Sequence, residues 1–242
     1  MLPRKTYTEV IKSRSAIHVS NVMTLLQRRA WNVLLANAYE DLHKRDLHTM
    51  RTADLIEYLG ITTQNHEHIE GLIKAMQKTV VKFDLFGRDG RVVELLPLLG
   101  DVRLESGTIS YSYGPILREK LSNPQVYARI RLTLTNRFSS KHALAIYELC
   151  FDYKDLGTTG PLPVDQLREY LGFDGEPPFD HVDEHGIVAG VKEVNESDKG
   201  LRITPRYHRI GEKVMAVEFL VEEVAEEALP RSASPGEVSP ET

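Results

Sequence analysis

A chain of 242 residues, 41% of them hydrophobic, can bury one large core or two small ones, and its formal net charge is −5. No run approaches the ~18 apolar residues of a membrane span, no apolar N-terminal segment reads as an export signal, and the lone cysteine cannot form an internal disulfide, so a cytoplasmic protein with no membrane partner is expected. The charge is uneven: residues 1–121 carry a net +3, residues 122–221 a net −3 and the remainder a net −5. The folded part is therefore neutral, and a neutral domain binds nucleic acid only if its cations gather on one face.

Residues 1–20, with Arg4, Lys5, Lys12 and Arg14, read as a loosely attached arm followed by a short extended segment. Ser20 or Asn21 is the expected cap of a long helix, VMTLLQRRAWNVLLANAYEDL. Its apolar stripe is Leu25, Leu26, Ala30, Val33, Leu34 and Ala38, with Gln27, Arg28 and Asn32 assigned to the solvent side. Trp31 is expected in the core or as a plug between domains, and His43, Lys44 and Arg45 in a surface turn. Thr52 to Leu59 forms a short helix closed by Gly60. Asn65 opens another, His66 to Met76, with Ile69, Leu72, Ile73 and Met76 inward. His66 and His68, two positions apart, share no helix face and read as surface histidines rather than metal ligands.

From Thr79 the period changes to that of strands. VVKFDLF and VVELLPLL flank the turn Gly87–Arg88–Asp89–Gly90 and predict a hairpin. VRLE and TISYSY, about Gly107, predict further strands, and YGPILREKL a helix leading through Ser122, Asn123 and Pro124. A helix-turn-helix followed by a hairpin is the winged-helix plan, in which the second helix of the pair can enter a DNA groove and the hairpin can touch the backbone.

The stretch RFSSKHALAIYELCFDYK (Arg137 to Lys154) puts Ala143, Ile146, Tyr147, Leu149, Cys150 and Tyr153 on one helix stripe, with Ser139 or Ser140 as the cap. Cys150 on that stripe is expected as a small buried hydrophobe, not a nucleophile. Val164 to Leu171 is a shorter helix, ending at Gly172. DLIEYLGI (Asp54 to Ile61) recurs as QLREYLGF (Gln166 to Phe173) at an offset of 112, which implies two copies of one helical unit and favours two cores. FDGEPPFDHVDEHG, rich in proline and acid, is an awkward lead into a DNA-facing helix, which is expected over IVAGVKEVNESD. Gly190 and the valines make that helix weak by propensity, so packing must hold it. LRITPRYHRIGEKVMAVEFLVEE alternates as two strands about Gly211. The predicted class is α+β: tandem winged-helix domains over 1–124 and 125–221, each a helix-turn-helix with a β-hairpin wing, then a disordered acidic tail over 222–242.

Candidate DNA contacts follow from where cations and free amides fall. Arg137, Ser139, Ser140 and Lys141 stand at a helix start, where amides and hydroxyls meet a phosphate; ordinary capping plus a solvated charge is the alternative. Arg206, Arg209 and Lys213 suit backbone or minor-groove contact, and His185, Lys192 and Asn195 base or phosphate contact, with Asn195 equally suited to a cap. Tyr147 and Leu149 are expected to pack, and Glu148 to pair with a basic side chain. His181 and His185, flanked by Asp180 and Glu184, lack a third ligand placed by sequence. With no phosphate-cradling GxxxxGK[ST], no serine elbow and no paired carboxylates, neither an enzyme, a metal nor a cofactor is expected.

These segments together resemble the plasmid replication initiators of the Rep type, which carry tandem winged-helix domains. NVMTLLQRRAWNVLL is similar to the family's Leu-rich first helix, including the paired Arg28 and Arg29. SSKHALAIYELCFDYK matches its Ser-Lys-aromatic segment running into Tyr-Glu-Leu, with His142 in the aromatic position. QLREYLGF, KEVNESDKGLRI and GEKVMAVEF match later segments in order, so the resemblance spans residues 10–221. It implies a second domain that binds directly repeated origin sites in double-stranded DNA, and a first domain carrying a dimer interface and auxiliary DNA contacts. It further implies dimers in equilibrium with DNA-bound monomers, opening of an AT-rich tract, recruitment of the host initiator and helicase, and autorepression by the dimer. The chain departs from the family at FDHVDEHG, where relatives have a Lys/Arg-rich lead into the second reading helix. A winged-helix transcriptional regulator without an origin-opening role is the alternative, and a scaffold without DNA binding a third reading.

Overall fold

In the computed structural model the described residues are 6–20, 22–62, 66–83, 94–122 and 127–224. The Gly87–Gly90 turn, Asn21, Asn65 and the chain beyond residue 224 lie outside them. Strand β1 (Glu9–Ser13) runs into a single turn, α1 (Arg14–Ile17), and then to α2 (Leu25–Ala38). The cap of α2 is Thr24: its hydroxyl accepts from the Gln27 amide at 3.2 Å, and the Gln27 side chain accepts from the Thr24 amide at 2.8 Å. This reciprocal pair corrects the expected cap at Ser20 or Asn21. Ser20 has another task, its Oγ accepting from the Lys82 amide at 2.9 Å.

After α2 come β2 (Leu47–Arg51), α3 (Thr52–Leu59), α4 (His66–Lys78) and the antiparallel pair β3 (Val80–Phe83) and β4 (Glu94–Pro97). Strands β5 (Val102–Glu105) and β6 (Thr108–Ser112) turn at Gly107 and join β2 in a sheet of order β2-β6-β5. Helix α5 (Pro115–Leu121) leads to β7 (Tyr127–Arg131), which returns to pair with β1 from Glu9↔Arg131 to Ser13↔Tyr127. Then follow α6 (Leu132–Thr135), α7 (Lys141–Asp152), β8 (Leu162–Pro163) and α8 (Val164–Leu171). A helical run comprises α9 (Phe179–Val182), a π-helical segment (Asp183–Val188) and α10 (Ala189–Ser197). Strands β9 (Leu201–Ile210) and β10 (Lys213–Glu223) close the chain in a sheet of order β8-β10-β9.

The repeated octapeptides occupy matching places. Helices α3 and α8 are each eight residues long and each ends on a left-handed glycine, Gly60 at φ 63° and Gly172 at φ 77°. Both follow a long helix and a strand and precede a longer helix and a hairpin, an arrangement of winged-helix-like units.

Two expectations are overturned at the same place. The N-terminal segment is not loose where it is described: Val10 and Lys12 have no solvent exposure, and Arg14 Nε reaches Asp152 Oδ2 at 2.7 Å. Gln27, Arg28 and Asn32 do not face solvent either, Arg28 and Asn32 being wholly buried. The cause is that α2 is covered on a second side by β1 and α7. Lys12, Arg28 and Asn32 are tolerated there because they end on the Glu148 carboxylate rather than in hydrocarbon. The buried apolar side chains of both halves accordingly form one connected core instead of two, with Trp31 inside it. Cys150 also lies in this core, where burial pushes its thiol up, away from the reactive thiolate.

Candidate nucleic-acid interface

The three elements that sequence pointed to converge in the second half: the start of α7, the helical run 179–197 and the β9–β10 hairpin. Ser140 caps α7, its hydroxyl accepting from the amides of His142 at 3.1 Å and Ala143 at 3.5 Å. Ser139 donates both its amide and its hydroxyl to Glu193 Oε1, the hydroxyl at 2.8 Å. Lys141 Nζ donates to the Gly172 carbonyl at 2.6 Å, a cation placed on the C-terminus of α8. Arg137 stays exposed, with Nη1 3.5 Å from the Ser197 carbonyl. Of these four residues, Arg137 has the head group most open to a phosphate.

The helix facing outward begins earlier than the sequence suggested, at Phe179 rather than near Ile187, and it is continuous through Gly186. Two glycines explain how so weak a helix sits so close to its neighbours. A Cβ at Gly190 would lie 2.7 Å from Ile146 Cδ1 and 3.4 Å from the Ala143 nitrogen, so α10 rests on α7 at that point. A Cβ at Gly186 would lie 2.7 Å from Phe173 Cε2 and 2.9 Å from Cζ. Phe173 is itself stacked on His142, ring centroids 4.6 Å apart, and burial holds that imidazole below its ordinary value. Ile187, Val191 and Val194 face the core, while Val188 is half exposed.

His185 and Lys192 are exposed on this helix. Asn195 is engaged at its base: Nδ2 donates to the Ile203 carbonyl at 2.9 Å and Oδ1 accepts from the Ile203 amide at 2.8 Å. Asp198 accepts from Arg131 Nη2 at 2.8 Å through Oδ2. The KEVNESD segment thereby ties the helix to β9 and to the strand that pairs with β1.

In the hairpin, Gly211 turns at φ 59° and displays Arg209 and Lys213 on its exposed end. Arg209 Nη1 donates to the Glu212 carbonyl at 2.9 Å. Arg206, its side chain 57% exposed, lies 3.4 Å from Glu218 Oε2. Glu218 is held below its ordinary value by hydrogen bonds from Thr158 and His208. Between this hairpin and the starts of α8 and α9 is an open groove of about 470 Å³ that brings together Arg168, Arg209 and Lys213 with Asp165, Asp180 and Asp183. Sequence reasoning missed Arg168, whose Nη1 pairs with Asp165 at 2.7 Å. Its position in a repeated octapeptide was the one available signal. Among the described residues no group of three or more His, Cys, Asp or Glu is placed to hold a metal ion. None of the described helices is long and apolar enough to cross a membrane.

A helix-turn-helix with an open outer face beside a cation-tipped hairpin defines a winged-helix-like protein. Residues 9–151 match the family described as initiator replication protein, WH1, and the chain belongs to that family. No curated protein sequence matches it. Among solved structures it is similar to the Pi initiator protein in complex with iteron DNA, at 16% identity and a TM-score of 0.68, covering 92% of this chain and 100% of that one. Two structures of domains 2 and 3 of RctB also match, at 11% and 10% identity and TM-scores of 0.45 and 0.46. They cover 90% of this chain in each case and 93% and 92% of theirs.

Proposed function

We infer that this protein initiates replication of its plasmid by binding directly repeated sites in double-stranded DNA. The observation that carries the reading is the pairing, in a member of the initiator replication family, of an exposed helix 179–197 with a hairpin that displays Arg206, Arg209 and Lys213 beside it. We read the chain as tandem winged-helix domains, 1–124 and 125–221, that share one core. The second holds the groove-reading helix, with Arg137, His185, Lys192 and the hairpin cations as contacts. That Pi was solved on iteron DNA supports the same mode here. With no nucleotide motor of its own, such a protein acts by binding, by opening an adjacent AT-rich tract and by recruiting the host initiator and helicase. A dimer formed through the first domain serves autorepression.

Fluorescence-anisotropy titration with duplexes from the DNA flanking the gene, against scrambled duplexes and across several salt concentrations, tests the binding reading. Permanganate footprinting of the AT-rich tract then separates an initiator from a transcriptional regulator. Preference for a repeated duplex together with unpaired thymines in the tract is the expected result. Binding without opening would leave a regulator.

A further inference from the structure

The outward face of the reading helix carries a chemistry unlike that of most major-groove readers. At intervals of three and four its exposed residues include His181, Glu184, His185, Val188, Lys192 and Glu196. No arginine stands among them, so bidentate recognition of guanine O6 and N7 by a guanidinium is not available from this strip. The Glu184 side chain is 79% exposed, and its ion-pair contact among the described residues is His185 at 3.9 Å. Two other carboxylates of the same helical run are engaged. Asp183 accepts from the Tyr207 hydroxyl at 2.6 Å, and Glu193 accepts from Ser139. Val188, one turn further on, is 50% exposed although Ile187 and Val191 beside it pack inward.

A carboxylate and an isopropyl group still have partners in a major groove. A carboxylate accepts from the exocyclic N4 amine of cytosine, and an apolar side chain packs on the C5-methyl of thymine. We propose that Glu184 and Val188 are specificity-determining residues that read a cytosine amine and a thymine methyl. The proposal rests on the duplex-DNA reading given above. It also accounts for the acidic FDHVDEHG segment at a DNA-facing helix. The carboxylate sits over the groove floor, while the cations that meet phosphates stand at the margins, on Arg137, Lys192 and the hairpin. The π-helical segment serves this placement, since Gly186 seats the helix on Phe173 and turns Glu184 and His185 outward together.

Selection from a randomised duplex library, followed by titration of singly substituted duplexes, tests it with the full-length wild type, Glu184→Gln and Val188→Ala. Both variants alter exposed side chains, and circular dichroism checks that they fold. Wild type should lose about 5- to 100-fold in affinity when one C·G pair is replaced, and Glu184→Gln should lose that discrimination at the same pair alone. Replacing one thymine by uracil should weaken wild type several-fold and leave Val188→Ala unaffected. An unchanged base profile for Glu184→Gln would overturn the assignment, as would uniformly tighter binding with the ranking of duplexes preserved, since the carboxylate would then only repel phosphates. Absence of any sequence preference in wild type would instead remove the DNA-site reading itself, and this assignment with it.

Discussion

Arg28 in α2 and Glu148 in α7, 120 positions apart, meet at 2.7 Å where neither side chain is reached by solvent. Lys12 Nζ reaches the same carboxylate oxygen at 2.8 Å, and Asn32 Nδ2 donates to the other at 2.7 Å. Three side chains of the first half thus close on one carboxylate of the second. Arg29, the other member of the arginine pair, donates from Nε to the Thr135 carbonyl and from Nη2 to that of Asn136, both at 3.1 Å, and also bonds the Phe138 carbonyl. Both arginines therefore join the halves rather than facing solvent. Burial alone would push Glu148 up, but Arg28 and Lys12 outweigh it and hold the carboxyl at about 2. Lys12 is brought down to about 8 by burial and by Arg28, against the pull of Glu148.

Replacing Glu148 with Gln leaves two buried cations with no anion. Breaking a buried pair in this way costs about 3–5 kcal/mol, far more than loss of a surface pair. Urea denaturation should show that loss in wild-type-like buffer. Adding Lys12→Met should restore part of it, because one stranded charge is then gone. Additive losses in the double variant would mean that the two side chains do not interact.

The same cluster sets a pH dependence. The folded Glu148 carboxyl, at about 2, lies below its unfolded value of 4.5, so its contribution is complete above pH 4.5 and is lost as pH falls toward 2. On the basis of that shift the loss is about 3 kcal/mol. Lys12 acts in the opposite sense: its folded value of about 8 lies below the ordinary 10.5, so the penalty for burying its charge is full below pH 8 and fades between 8 and 10.5. Stability measured by denaturation at each pH should fall steeply through the acid window in wild type and less in Glu148→Gln. An equal slope in both would remove Glu148 as the cause.

Gly186→Ala should destabilise the protein although alanine is the better helix former. The added methyl falls 2.7 Å from a Phe173 ring that is already stacked on His142 and cannot turn aside cheaply. Overpacking of this kind costs about 1–3 kcal/mol, more than the ~1 kcal/mol that alanine gains over glycine in a helix. Thermal unfolding checks the sign. A stabilised variant would show that the helix shifts freely at this point.

Replacing Arg206 and Arg209 with alanine removes two exposed charges without opening the core. Affinity for a repeat should fall, and the slope of log affinity against log salt should shrink by ~1–2 units. If either reads a narrow minor groove, the loss will vary with sequence. Removal of residues 225–242, which carry excess acid, should leave affinity unchanged or slightly higher. Equal salt slopes for wild type and the hairpin variant would take the hairpin out of the interface.

The proposed dimer makes its own demand on the first half. Leu95 in β4 is 63% exposed and Val80, on the paired strand β3, is 47% exposed. Leu95→Glu should shift sedimentation toward monomer at micromolar concentration while leaving binding to a single repeat intact. A wild type that stays monomeric at high micromolar concentration would count against the dimer.

What the sequence determined by itself was whatever depends on neighbours a few positions away. The three-four spacing in Ala143 to Cys150, the octapeptides closed by Gly60 and Gly172 and the hairpin about Gly211 all need only local geometry, and all stand where they were read. The order of these segments was legible enough to reach the family. The errors have a common origin. Gln27, Arg28 and Asn32 look like a solvent face because a helical period distinguishes polar from apolar but not water from a partner. Whether a polar side is wet depends on what arrives from far along the chain, and here β1 and α7 arrive. Ser139 and Asn195 looked available to DNA for the same reason, until Glu193 and the Ile203 backbone took up their polar groups. Only the tertiary structure decided that Glu148 lies against Lys12 and Arg28, because a buried charge is stable only where its counter-charges are brought to it, and no local pattern records the meeting of residues 120 positions apart.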